Sequence, residues 1–215
     1  AGIVLIDTLD FPYSKWIPKN LELVGLDIKD VSHILITHGH SDHIGGAGYL
    51  QGLSGAKVVT TAADWQLAAQ QQQKLTGTKN AFTLPINPML ITHNQSLVIG
   101  NTPFGLHITP GHTKGCLSII IPAKDKNKTY QALVYGGMGT NFNGLVQAHD
   151  YLNSIAHIKK IHNKSPIAVN LPNHPHMGQL FEKQLATNPP NAYINAAKVS
   201  DFLALLEERG RFKLI

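Results

Sequence analysis

The first part of the chain alternates short apolar runs with amphipathic segments. Three apolar, β-branched runs predict strands, at Gly2 to Ile6, Ile34 to Ile36 and Lys57 to Thr60. A helical pattern from about Ser14 to Val24 ends at Gly25. Thr61-Ala62-Ala63-Asp64 is a capping-box pattern that opens a second helix reaching about Leu75.

Beyond Pro85 the pattern changes to short β segments and then returns to helices. The predicted strands are Met89 to Thr92, Ser96 to Ile99, Leu106 to Thr109, Leu117 to Ile121, Gln131 to Tyr135 and Ile167 to Asn170. The predicted helices are about Asp150 to His162, Gln179 to Ala186 and Ala196 to Glu208, the last ended by Gly210. No repeat or linker divides the pattern, so we expect a single domain over residues 1–215, with sheets inside and helices outside.

The composition narrows the class of protein. Of 215 residues, 43% are hydrophobic and 14% are charged, which excludes a disordered chain, and no apolar run approaches the ~18 residues of a membrane span. The 18 Lys and Arg against 13 Asp and Glu are scattered and form no basic stripe. We therefore expect neither a nucleic acid nor a membrane as a partner. The one cysteine, Cys116, excludes a cysteine-rich zinc module, whereas the 12 histidines are unusually many.

Four potential metal ligands lie within six residues, directly after the strand predicted at Ile34 to Ile36. They are His38, His40, Asp42 and His43. In extended backbone, residues two apart point the same way, so His38 and His40 can share one metal ion. Asp42 and His43 follow where the chain turns toward a helix, and they can bind a second ion. Small residues let the backbone turn around the ions, namely Gly39, Gly45 and Gly46.

The motif His38-x-His40-x-Asp42-His43 resembles the signature of the metallo-β-lactamase superfamily of hydrolases. The segment from Thr109 to Gly115 resembles the second metal-binding loop of that family, and the segment from Leu171 to Pro175 resembles its last histidine loop. His112 and His174 each follow an apolar strand, in the order that the family uses. His176 is an alternative to His174, but the Asn-His-Pro context favours His174.

This resemblance implies an α+β fold, the four-layer αββα sandwich of the metallo-β-lactamase fold. It also implies two zinc ions, with the first bound by His38, His40 and His112 and the second by Asp42, His43 and His174. Nitrogen and oxygen ligands without a thiolate suit zinc, although iron or manganese is also compatible with these ligand types.

The segment Val134 to Thr140 narrows the resemblance. Many members of the superfamily carry a metal-bridging aspartate between the second and third histidine loops, but this segment has no carboxylate. In this respect the chain resembles the third subclass of metallo-β-lactamases. That subclass implies a small-molecule substrate, a β-lactam amide that is opened by attack of metal-bound hydroxide. Asp42 would orient the hydroxide, and Thr140 would hold the carboxylate of the substrate.

Two other functions remain open. A lactonase, thioesterase or phosphodiesterase could use the same fold and metal site, but the missing bridging carboxylate disfavours these enzymes. A metal-binding scaffold without catalytic activity is the other alternative, and the complete ligand set argues against it.

The start of the chain differs from the family pattern. The family sheet normally has strands before the one at Gly2 to Ile6, so the fold would lack its N-terminal strands. An unpaired strand edge invites pairing. We therefore expect either missing upstream residues or a partner chain on this edge. A periplasmic or secreted location follows from the resemblance alone, because the chain shows no signal peptide.

Five further histidines are expected to lie outside the metal site. His33 and His107 fall on predicted strands and are assigned structural roles. His149, His157 and His162 lie on or beside one predicted helix, where solvent exposure is expected.

Overall fold

The computed structural model describes residues 2–178 and 193–215. The chain divides into two compact units, the first formed by Ala1–His93 with Gly115–Leu117 and the second by Asn94–Lys114 with Ser118–Ile215. The short helix expected at Gln179 to Ala186 lies outside the described residues. The prediction of a single domain over residues 1–215 stays a prediction.

The first unit is built on a four-stranded parallel sheet. Its strands, in sheet order, are β1 (Ile3–Ile6), β2 (Val31–Leu35), β3 (Lys57–Thr61) and β4 (Met89–Ile91). Its helices are α1 (Trp16–Leu23), α2 (Ser41–Ile44), α3 (Ala47–Ser54) and α4 (Ala62–Leu75). Ile34, Leu50 and Val58 are fully buried in its core. The strands read as near-continuous apolar runs because a parallel sheet is covered on its faces.

The second unit contains a five-stranded sheet. Its strands, in sheet order, are β5 (Gln95–Ile99), β6 (Thr102–Ile108), β7 (Leu117–Asp125), β8 (Lys128–Val134) and β9 (Ile167–Asn170). The pairs β5–β6 and β7–β8 are antiparallel, whereas β9 runs parallel to β8. Among its described residues this unit has two α-helices, α5 (Leu145–Lys164) and α6 (Ala196–Arg211). Leu133, Ile155 and Leu203 lie in its core with no exposed surface.

The predicted strands are confirmed within a few residues, and the deviations have physical causes. Strand β6 begins at Thr102, four residues before the expected start, although it contains Pro103 and Gly105. Its pairing with β5, from Ile99 opposite Thr102 to Gln95 opposite Leu106, overrides the low strand propensity of these two residues. Helix α5 likewise begins at Leu145, five residues before the expected start at Asp150.

Strand β1 lies at one end of the strand order in the first sheet. The expectation of missing upstream residues or of a covering partner chain stays a prediction. Among the described helices, none is both long enough and apolar enough to cross a membrane.

His162 corrects the expectation of solvent exposure. The side chain is buried, its Nδ1 accepts a hydrogen bond from the Ile167 N–H, and its Nε2 lies 2.9 Å from Ser200 Oγ. His162 thus joins α5 to β9 and α6. The helical pattern alone could not show this, because Ser200 lies 38 residues away along the chain. His149, in contrast, is exposed as expected.

Gly210 corrects the predicted end of the last helix. Helix α6 continues to Arg211, so Gly210 lies inside it. A Cβ atom at Gly210 would lie 2.8 Å from Tyr151 Cδ1 and 2.9 Å from Leu152 Cδ2. The glycine is therefore needed for the close approach of α6 to α5.

Two helix glycines give opposite predictions for substitution by alanine. Gly52 lies in α3, and a Cβ atom there would meet nothing within 4 Å. We expect Gly52→Ala to raise the free energy of unfolding by about 0.5–1 kcal/mol, because alanine loses less backbone entropy on folding. We expect Gly210→Ala to lower it by about 1–3 kcal/mol through overpacking. Denaturant unfolding of both variants measures the difference, and a Gly210→Ala variant as stable as Gly52→Ala would contradict this packing explanation.

Candidate metal centre

The loop after β2 holds four of the six predicted ligands. Helix α2 begins at Ser41, and its first turn contains Asp42 and His43. The carbonyl of His40, the residue before this helix, accepts hydrogen bonds from the backbone N–H groups of His43 and Ile44. The side chains of His38 and His43 are buried, whereas the Asp42 side chain is 44% exposed. The metal motif therefore occupies the junction between a buried strand and a short helix.

Asp7, the residue after β1, fixes this loop. Its Oδ1 accepts a hydrogen bond from the Thr37 N–H, and its Oδ2 accepts one from the Thr37 hydroxyl, both at 2.7 Å. The same Oδ2 lies 2.7 Å from His43 Nδ1. His38 Nδ1 lies 3.2 Å from Thr37 Oγ1. Both imidazoles are thus oriented through Nδ1, so a metal ion would be bound through Nε2.

The carboxylates around His43 create a field that favours positive charge. Burial lowers the pKa of the His43 imidazole, but the charge of Asp7 and the hydrogen bonds to Asp42 and Asp7 raise it to about 10. Asp42 Oδ2 lies 3.3 Å from His43 Nε2. Burial lowers the pKa of His40, against the opposing effects of Asp42 and Asp64. A cation at this position would meet the same favourable field as a protonated His43.

The predicted helix cap is confirmed for the Thr61 hydroxyl, whereas the Asp64 carboxylate has other partners. The Thr61 hydroxyl does accept a hydrogen bond from the Asp64 N–H and so caps α4. The Asp64 carboxylate, however, accepts hydrogen bonds from the backbone N–H groups of Gly39, at 3.0 Å, and of Gly115, at 2.9 Å. A Cβ atom at Gly39 would lie 2.3 Å from the Asp64 carbonyl oxygen. The buried Asp64 thus joins the His38–His40 loop to the residue three positions after His112.

In the second unit, the segment after β8 orients His112. His112 Nδ1 lies 3.0 Å from the Gly139 carbonyl oxygen, so this ring would also bind a metal ion through Nε2. A Cβ atom at Gly139 would lie 3.1 Å from the ring, which explains why a glycine stands there. The Tyr151 hydroxyl donates to the Met138 carbonyl and fixes the same segment. The segment without a carboxylate therefore provides a backbone acceptor for a predicted ligand.

His174 lies in the loop that follows β9. Its carbonyl accepts a hydrogen bond from the Met177 N–H in the 3₁₀ turn Pro175–Gly178. The rings of His174 and His176 lie 5.7 Å apart, and His176 is exposed.

Two groups of side chains have the composition of metal sites. The side chains that could hold a metal ion form two candidate groups, His38, His40 and His112, and Asp42, His43 and His174. All six ligands offer nitrogen or oxygen donors, so the groups fit zinc, as expected from the sequence. Their role as ligands stays a prediction, as does substrate binding by Thr140, which is the residue after Gly139.

The comparisons with known proteins assign the family. Residues 1–125 match the family model of the metallo-beta-lactamase superfamily. The chain belongs to this superfamily, as the sequence motifs indicate. Superfamily membership supports a hydrolase with a metal site.

Curated proteins with a similar sequence include relatives named hydroxyacylglutathione hydrolase. A hydroxyacylglutathione hydrolase of Cereibacter sphaeroides is 29% identical over 148 residues, which cover 69% of this chain and 51% of the relative. The chain thus spans about half the length of the curated relatives it matches.

Solved structures resemble the chain over nearly its whole length. A subclass B3 metallo-beta-lactamase of Bradyrhizobium japonicum superposes with a TM-score of 0.81 at 24% identity, covering 99% of this chain and 83% of that chain. The native metallo-beta-lactamase of Legionella gormanii gives 0.83 at 22% identity, with 99% and 85% coverage. The predicted metallo-β-lactamase fold is confirmed.

Asp64→Asn tests the link between the two loops. An amide group would place an N–H opposite one of the two backbone N–H donors, so we expect a loss of about 1–3 kcal/mol in the free energy of unfolding. We also expect zinc affinity to fall by roughly 10–100-fold, because the loop that carries the predicted ligands His38 and His40 loses its support. Asp30→Asn, at an exposed position, is the matched control. If both variants unfold and bind zinc alike, Asp64 does not support the site.

Proposed function

We propose that the protein is a zinc-dependent hydrolase that opens the amide bond of a β-lactam. The observation that carries this proposal is the pair of candidate three-ligand groups, in which hydrogen-bond partners at Nδ1 orient His38, His43 and His112. The choice of a β-lactam is supported by the missing carboxylate in Val134 to Thr140 and by the likeness to subclass B3 structures. A periplasmic or secreted location belongs to the same proposal.

Each side chain has a role in this proposal. His38, His40 and His112 would hold one zinc ion, and Asp42, His43 and His174 would hold the other. When bound, the two ions supply acidification of a water molecule and polarisation of the amide carbonyl. The half-exposed Asp42 carboxylate can accept a hydrogen bond from the attacking water and orient it. Thr140 would donate a hydrogen bond to the carboxylate of the substrate.

Thioester hydrolysis is the second candidate. It is favoured by the sequence likeness to hydroxyacylglutathione hydrolases. It is disfavoured by the segment Val134 to Thr140, which has no carboxylate where the sequence resemblance leads us to expect a bridging one.

A substrate panel separates the two candidates. The zinc-loaded protein is assayed with a penicillin, a cephalosporin, a hydroxyacylglutathione thioester, a lactone and a phosphodiester. We expect kcat/KM to be highest for one of the β-lactams. A higher value for the thioester would replace the first candidate with the second, and no turnover of any substrate would contradict both.

Asp42→Ala tests the assigned role of this carboxylate. Because Asp42 is both a proposed ligand and the orienting group, we expect metal content to fall from about two zinc ions per chain toward one and turnover to fall at least ~100-fold. The loss of stability in the metal-free protein should stay within about 1 kcal/mol, since the side chain is half-exposed. Native mass spectrometry, steady-state kinetics and denaturant unfolding measure these three quantities, with Asp30→Ala as the control. Unchanged zinc content with unchanged turnover would remove Asp42 from the site.

A further inference from the structure

We propose that His107 and His157 form a second, separate type of metal site in the second unit, which takes a divalent cation such as zinc. His107 Nδ1 and His157 Nε2 lie 3.2 Å apart. Neither residue belongs to the two three-ligand groups among the described residues. His107 is close to the end of β6 and His157 lies in α5, so a regular element holds each of them.

The nitrogen separation suits two ligands of one ion. Zinc binds histidine nitrogen at about 2.0–2.1 Å with near-tetrahedral angles, which places two ligating nitrogens about 3.3 Å apart. The observed 3.2 Å is close to this value. The ring planes are inclined by 54°, and the centroids lie 5.2 Å apart, so the rings are not stacked. One cation could therefore contact both nitrogens after small side-chain movements.

The surroundings of His107 support a neutral, ligand-competent imidazole. Burial lowers the pKa of His107, and the nearby His157 lowers it further. His107 Nε2 would lie 3.2 Å from a Cβ atom at residue 105, so the glycine there leaves space for this ring. The lack of a side chain at residue 105 thus permits this position of the His107 ring.

A cavity lies beside His107, although His157 is not among the described residues that line it. It has a volume of about 830 Å³, and its polar lining includes Ser96, Gln131 and Ser165 together with His107. No carboxylate, lysine or arginine is among the described residues that line it. His107 and His157 are each only partly buried, so water or a small anion would complete the coordination shell. Two protein ligands should bind zinc more weakly than the three-ligand groups.

A zinc titration of the intact protein tests this proposal. We expect one weak zinc equivalent beyond the tightly bound ones in the wild-type protein, and we expect His157→Gln and His107→Gln to weaken it at least ~10-fold. His149→Gln, which changes an exposed histidine of the same helix, is the matched control and should retain it. Mg²⁺ should not compete, because it prefers oxygen ligands. The ring nitrogen resonances of His107 and His157 should shift together during the titration in NMR spectra.

Two outcomes would contradict the proposed metal site at His107 and His157. If His157→Gln and His149→Gln bind the weak equivalent alike, or if the two rings do not respond to zinc, the pair is only a hydrogen bond between β6 and α5. In that case the His157 variant would lower thermal stability without changing zinc binding. A failure of the proposed catalytic centre would instead change the number of tight equivalents in all variants.

Discussion

The first unit organises its metal motif around the carboxylate of Asp7. This one group accepts hydrogen bonds from the backbone and the hydroxyl of Thr37, and it also contacts His43. The Asp7 backbone has a φ of 62°, a strained conformation for a residue other than glycine. The interactions at the carboxylate offset this cost. Because a hydrogen bond to the other ring nitrogen fixes the orientation of a ligating histidine, Asp7 would set the geometry of the predicted ligand His43.

The same principle recurs with different partners. Thr37 Oγ1 contacts the Nδ1 of His38, and the Gly139 carbonyl contacts the Nδ1 of His112. These partners are a hydroxyl and a backbone carbonyl, neither of which carries charge. Asp64 adds a buried carboxylate, which accepts hydrogen bonds from the backbone N–H groups of Gly39 and Gly115. A polar scaffold of this kind restricts side-chain motion before any metal binds, and that lowers the entropic cost of binding.

Local patterns in the sequence were sufficient for the strands and for the predicted ligands. The His38–His43 motif is compact, and His112 and His174 each follow an apolar strand, so spacing and context are enough to predict them as ligands. Local patterns do not predict the contacts of Asp7 and Gly139 with histidine rings, because these partners are 36 and 27 residues away. The local pattern assigns Asp64 only to a helix cap, because its hydrogen bond with Gly115 spans 51 residues. The predicted helix end at Gly210 is wrong because, in the sequence alone, a glycine at a packed helix crossing has the same pattern as a glycine at a helix end.

The central claim is that the two three-ligand groups bind two metal ions. Anomalous diffraction at the zinc edge from crystals of the zinc-loaded protein tests it most directly. We expect two strong peaks, one about 2.0–2.1 Å from Nε2 of both His38 and His112 and the other within similar distances of Asp42 and His43. A single peak, or peaks bound through Nδ1 of these histidines, would contradict the account.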